Sequence, residues 1–196
     1  MIKGRKGDLK MAAPLSRPIL AGKLFPWPQK VTYRDLLEGN IPSGLYEIVH
    51  GEVVEMAPAG FLHGDWEGEI YFRLKELLKN KGWLAVGEVG IVISREPLTL
   101  RAADIVFVSR EKSPERPKGY LETPPDLVVE IEGPGSGDLH PKLKDYFTFG
   151  VTRVLVVNPA EKTLALYTAE GRVSFHGAEE EIEVLPGVKL SLKDLA

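Results

Sequence analysis

The chain has 196 residues, 43% hydrophobic and 27% charged, with a formal net charge of −3 and no cysteine. That length suits one sizeable core better than two full domains, and the composition is that of a globular chain rather than a disordered one. The missing cysteines exclude disulfides, thiolate catalysis and Cys-based zinc sites. The acidic balance argues against wrapping long duplex DNA by charge alone, without excluding a local basic channel.

Residues 1–30, rich in Lys, Arg, Gly and Pro, read as an irregular arm ahead of one domain over 31–196. Pro14, Ser16, Arg17 and Pro18 interrupt the apolar stretch that begins at Met11, so no secretory core forms. No apolar run approaches the ~20 residues needed to span a bilayer. A cytoplasmic protein is expected. Fifteen prolines, many charges and no cysteine fit a reducing and even hot setting.

Thr32 reads as the N-cap of a short helix over Tyr33 to Glu38, stopped by Gly39. Two β-rich runs around His50-Gly51, within Tyr46 to Met56, predict a hairpin. From about Leu62 to Lys79, the residues Trp66, Ile70, Leu74, Leu77 and Leu78 recur at helical spacing, and Gly82 ends the pattern. Strand signals follow at Trp83 to Val86, Val89 to Ser94, Leu98 to Arg101 and Asp104 to Val108. Leu127 to Ile131 is a nearly continuous apolar run, the mark of a strand buried on both faces.

A glycine-rich break at Gly133 to Gly137 precedes a helix over Leu139 to Phe149, ended by Gly150, and a buried strand over Arg153 to Val157. This strand–helix–strand unit predicts a parallel pair joined by a right-handed crossover. The tail, at Thr163 to Thr168, Arg172 to His176 and Glu181 to Leu185, reads as a β meander. The fold class is α/β (α+β), a mixed sheet flanked by helices. Exposed sheet edges suggest a homodimer.

Three residues stand out chemically. Asp104 opens an apolar strand, Glu130 sits near the end of another, and Lys142 begins the following helix. Acids at strand ends face the crevice where open α/β sheets bind ligands. Two carboxylates from neighbouring strands can share a hard cation such as Mg²⁺ or Mn²⁺, which activates water and stabilises phosphoryl charge, while a lysine orients the attacking water. Plainer readings stand beside this one. Asp104 can be a turn residue, Glu130 half of a structural ion pair, and Lys142 a solvated helix lysine. Of these, Glu130 is the hardest to dismiss, because a charge within Leu-Val-Val-Glu-Ile is costly unless paired or bound to metal.

The run Tyr46-Glu47-Ile48-Val49-His50-Gly51-Glu52-Val53-Val54-Glu55-Met56 resembles the opening signature of the Uma-two family, placed in the PD-(D/E)XK restriction-endonuclease-like superfamily. Pro125 to Glu130, Lys142-Leu143-Lys144-Asp145-Tyr146, Gly150-Val151 and Val156 to Pro159 continue the resemblance, which covers about Tyr33 to Tyr167. It implies a restriction-endonuclease-like fold and a Mg²⁺- or Mn²⁺-dependent nuclease acting on nucleic acid, with DNA favoured over RNA. Asp104 and Glu130 become the motif acids, Lys142 the motif lysine moved onto the helix, Glu47 a further metal ligand, and His63 and Tyr146 supporting residues. The alternative is a non-catalytic binding or assembly protein that keeps the fold.

The sequence also departs from that pattern. Arg101-Ala102-Ala103-Asp104 lacks the usual proline. Glu132 stands where the superfamily formula has lysine; alternation puts it on the Glu130 face, where it either holds a second metal or is a solvated strand end. Asp126 lies ~13 Å along the strand from Glu130 at ~3.3 Å per residue, so it is the poorer candidate. His50, His140 and His176 show no metal-ligand spacing. Arg110, Lys112, Arg116 and Lys118 crowd one loop that can touch a nucleic-acid backbone or simply be a mixed-charge loop.

Overall fold

A computed structural model describes residues 29–133 and 137–195. The predicted arm at 1–30 therefore lies almost wholly outside the described residues, as do 134–136 of the glycine-rich break.

The short helix α1 (Tyr33–Glu38) starts at Thr32, whose side chain accepts from Asp35 N while Asp35 reaches back to the Thr32 backbone. This capping box satisfies two otherwise orphaned donors. The hairpin β1 (Tyr46–Val49) and β2 (Glu52–Glu55) turns at His50 and Gly51, with φ of 52° and 82°. Two successive left-handed residues match the twist of the flanking strands.

Helix α2 (Phe61–Leu77) buries Ile70 and Leu74. Counting back along that face, Glu67 and His63 follow at helical spacing, so the stripe that enters the core runs on into polar side chains.

The four short strand signals after α2 resolve into two long strands, β3 (Gly82–Arg95) and β4 (Leu98–Ser109), paired antiparallel from Gly82↔Ser109 to Arg95↔Leu98. The apparent gap at Gly87-Glu88 is a β-bulge: the register jumps between Val86↔Ile105 and Val89↔Ala103. Both bulge residues have positive φ, 90° and 51°, and both fall opposite Asp104. Such an extra residue bends a strand and re-aims its side chain.

The main sheet runs β2-β1-β4-β5-β6-β7-β8, with β3 on the other edge of β4. Strand β5 (Leu127–Ile131) is buried throughout and runs parallel to β6 (Arg153–Asn158); α3 (Leu139–Phe149) connects them, as the sequence predicts. Leu127, Val129 and Ile131 pack toward α2, while Val128 packs toward α3 with Leu143 and Tyr146. Strands β7 (Thr163–Thr168) and β8 (Val173–Gly177) extend the sheet.

The expected meander stops there. β9 (Glu181–Leu185) leaves the sheet and pairs with β10 (Val188–Ser191) across Pro186-Gly187. The reason is burial: Ile182, Val184, Val188 and Leu190 join the α2-side core, which an extension of the β8 edge would leave in water. No helix among the described residues is long and apolar enough to cross a membrane.

Candidate active site

One edge of β4 is paired along its length by β3. The other is shared, with β1 at Ile48↔Leu100 and β5 from Ile105↔Val129 to Phe107↔Leu127. Between these two partners, Arg101 to Asp104 faces a split in the sheet. Backbone groups in such a gap need partners, and charged side chains supply them. Glu47 Oε1 accepts from Ala102 N at 3.1 Å. Lys142 Nζ donates to Ala102 O at 2.9 Å. Asp104 Oδ2 accepts from Ile131 N at 2.6 Å.

Helix α3 brings Lys142, Asp145 and Tyr146 to the split on one face, at i, i+3 and i+4. Lys142 Nζ lies 2.8 Å from Glu130 Oε2 and 3.2 Å from Glu47 Oε1. Together with Ala102 O, these partners occupy all three ammonium donors. Tyr146 donates to the other Glu130 oxygen at 2.5 Å. Arg101, only 7% exposed, bonds Glu47 Oε2 and Asp145 Oδ2, each at 2.6 Å, and so ties β4 to both β1 and α3.

From the α2 side, His63 Nε2 lies 3.3 Å from Asp104 Oδ1. That approach is off line for a hydrogen bond, and Nε2 is a buried nitrogen with no hydrogen-bond partner among the described residues. Glu67, one turn further along α2, accepts from Gly87 N of the bulge at 2.9 Å. Glu88 itself is half-buried beside Asp104.

The electrostatics follow from this crowding. Six acids, Glu47, Glu67, Glu88, Asp104, Glu130 and Asp145, surround two permanent cations, Arg101 and Lys142. Burial, then the Asp104 carboxylate, pushes Glu88 up to about 7. Burial raises Glu130 to about 6, Lys142 opposing it. Lys142 feels burial as well, but the Glu130 and Glu47 carboxylates outweigh it and hold its proton more tightly. The nearby Asp104 carboxylate raises His63 against the opposing effect of burial.

Of the residues named from sequence, Asp104, Glu130, Lys142, Glu47, Tyr146 and His63 come together around the split. Glu132 does not reach it: the side chain accepts from Asn158 Nδ2 at 3.0 Å, farther along the sheet. Asp126 lies at the other end of β5, accepting from Ser109 N at 2.6 Å and pairing with Lys112 at 3.1 Å. Sequence reading missed Glu88, Glu67, Arg101 and Asp145. A glycine interrupting a strand pattern at Gly87 signals a bulge, and Glu67 falls four residues after His63, so both had a readable trace.

Residues 32–193 match the Uma2 family, described as "Putative restriction endonuclease". Among solved structures, the chain is similar to "a putative nuclease belonging to DUF820" from Anabaena variabilis, with a TM-score of 0.70 and 16% identity over 84% of this chain and 97% of that one. That likeness shows a shared fold. No curated protein matches.

Proposed function

The chain belongs to the Uma2 family, and from that premise we propose that it is a divalent-metal-dependent nuclease hydrolysing phosphodiester bonds of nucleic acid, with DNA preferred to RNA. The surplus of buried carboxylate at the β1/β5 split supports this reading most strongly. Oxygen donors suit Mg²⁺ or Mn²⁺, and a dication would offset the carboxylate repulsion that adds to burial in raising Glu88. Among the described residues no three His, Asp or Glu side chains already converge at ligand spacing.

Asp104 and Glu130 would hold the cation, with Glu88 as a further oxygen donor. Glu47, the third ligand expected from the resemblance, is taken up by Arg101, Ala102 N and Lys142, so we assign it to holding the lysine. A cation bound here would supply Lewis-acid stabilisation of charge developing on the phosphoryl oxygens. The chain's own groups do the rest. Lys142 stays protonated, and its longest interaction, with Glu47, is the one a phosphoryl oxygen displaces. Tyr146 fixes one oxygen of Glu130 and leaves the orientation of the carboxylate set by α3. Arg101 locks the three elements in register.

The test is nicking of plasmid and single-stranded DNA with Mn²⁺, comparing the wild type with Lys142→Ala. A drop of about 10²-fold or more is expected for loss of a charge-stabilising donor; equal activity in both would sink the reading. One observation favours the second reading, a non-catalytic protein that kept the fold: protein groups already satisfy every Lys142 donor and both Glu130 oxygens. That reading predicts a melting temperature indifferent to Mn²⁺.

A further inference from the structure

Outside the site, the loop after β4 is tethered to β3 at two points. Trp83 Nε1 donates to Ser113 O at 2.9 Å. Farther along, Leu121 bridges Ile91 in parallel, with Leu121 N bonded to Gly90 O at 2.8 Å and Val92 N bonded to Leu121 O at 2.9 Å. Ser113 to Leu121 spans the same number of residues as Trp83 to Ile91. Between the tethers the segment bends at Pro114-Glu115 and at Gly119-Tyr120, with Gly119 at φ 75°. At its far end Tyr120 lines the same surface recess as Glu88 of the bulge.

This segment and its anchor are exposed and basic. Lys81, Arg110, Lys112, Arg116 and Lys118 face water, with Arg110 Cζ 4.4 Å from the Trp83 ring centroid. Lys112 is spent on Asp126. Among the described residues the other four have no carboxylate partner. Only Glu111 and Glu115 oppose them within the segment. In a chain of net charge −3, this is a local reversal of sign, in a loop whose end at Tyr120 shares a recess with Glu88 and Ala102.

We infer that the Arg110–Lys118 segment, with Lys81, is a binding surface for the phosphodiester backbone of nucleic acid, which it leads along the β3 edge toward the bulge at Glu88. The inference rests on the nuclease reading and names how that site receives its substrate. Cation–phosphate pairing of this kind positions a strand without reading its sequence, and removing a cationic side chain from the surface should flatten the salt dependence of binding.

The experiment measures binding of labelled duplex DNA, single-stranded DNA and RNA of one sequence, without divalent metal, across a series of KCl concentrations. R116A/K118A should bind about tenfold more weakly at low salt, with a log–log salt slope shallower by about 2. R116K/K118R should keep the wild-type slope, and so should Lys189→Ala, a control on the separate β9–β10 hairpin. The three probes tell which nucleic acid uses the surface. An unchanged slope in R116A/K118A overturns the inference while leaving Mn²⁺-dependent cleavage, assayed separately, to judge the nuclease reading. Failure of the wild type to bind any probe also overturns it.

Discussion

At the N-terminal end of β5, Asp126 accepts from Ser109 N and pairs with Lys112, one acid to one cation, both partly open to water. Some four residues on, Glu130 is buried among Asp104, Glu47 and Glu88, with Lys142 shared between two carboxylates. The two acids look alike in sequence, and Pro125-Asp126 even mimics a nuclease dipeptide. What separates them is the strand next door. At the Asp126 end the β4–β5 ladder is intact, and the acid merely caps a backbone N–H. At the Glu130 end β4 passes from β5 to β1, and the gap gathers charge that the fold leaves unbalanced.

The sharpest way to break that contrast is to remove Arg101, one of the two cations in the gap. Arg101→Met takes the cation from Asp145 and from Glu47 Oε2, leaving Glu47 with Lys142 and Ala102 N, and a loss of about 3–5 kcal/mol in urea unfolding is expected for breaking a buried pair. A loss under about 1 kcal/mol would make the two ends energetically alike. Next in size, Mn²⁺ at a hundredfold excess over its dissociation constant should stabilise the wild type by about 2.7 kcal/mol, seen as a raised melting temperature. Asp104→Asn should lose most of that gain.

Tyr146→Phe deletes the hydroxyl that holds Glu130. About 2 kcal/mol should go, as for a buried hydrogen bond to a charged group, again by urea unfolding. Asp126→Asn should do least: about 1 kcal/mol or less, with cleavage within about twofold of wild type, as for a half-exposed pair remote from the chemistry.

Much of this was legible in the chain. The β5–α3–β6 unit shows because a run buried on both faces, a capped amphipathic helix and Gly150 each carry a local signature. Glu130 and Lys142 show because a charge amid apolar residues demands a partner, and the helix supplies one twelve residues on. Glu88 does not show, because it joins the site only through a bulge whose register depends on the partner strand. Arg101 reads as a strand charge until β1 and α3 fold against it from opposite ends of the sequence. The β9–β10 hairpin is hidden for the same reason, since only the finished α2 face tells Ile182 and Val184 where to go.

Calorimetric titration of Mn²⁺ into the wild type, Glu130→Gln and Asp126→Asn tests most directly whether the acid surplus is a cation site. Binding by the wild type and Asp126→Asn, with its loss in Glu130→Gln, is the predicted result. No heat from the wild type, or equal binding by Glu130→Gln, would contradict it.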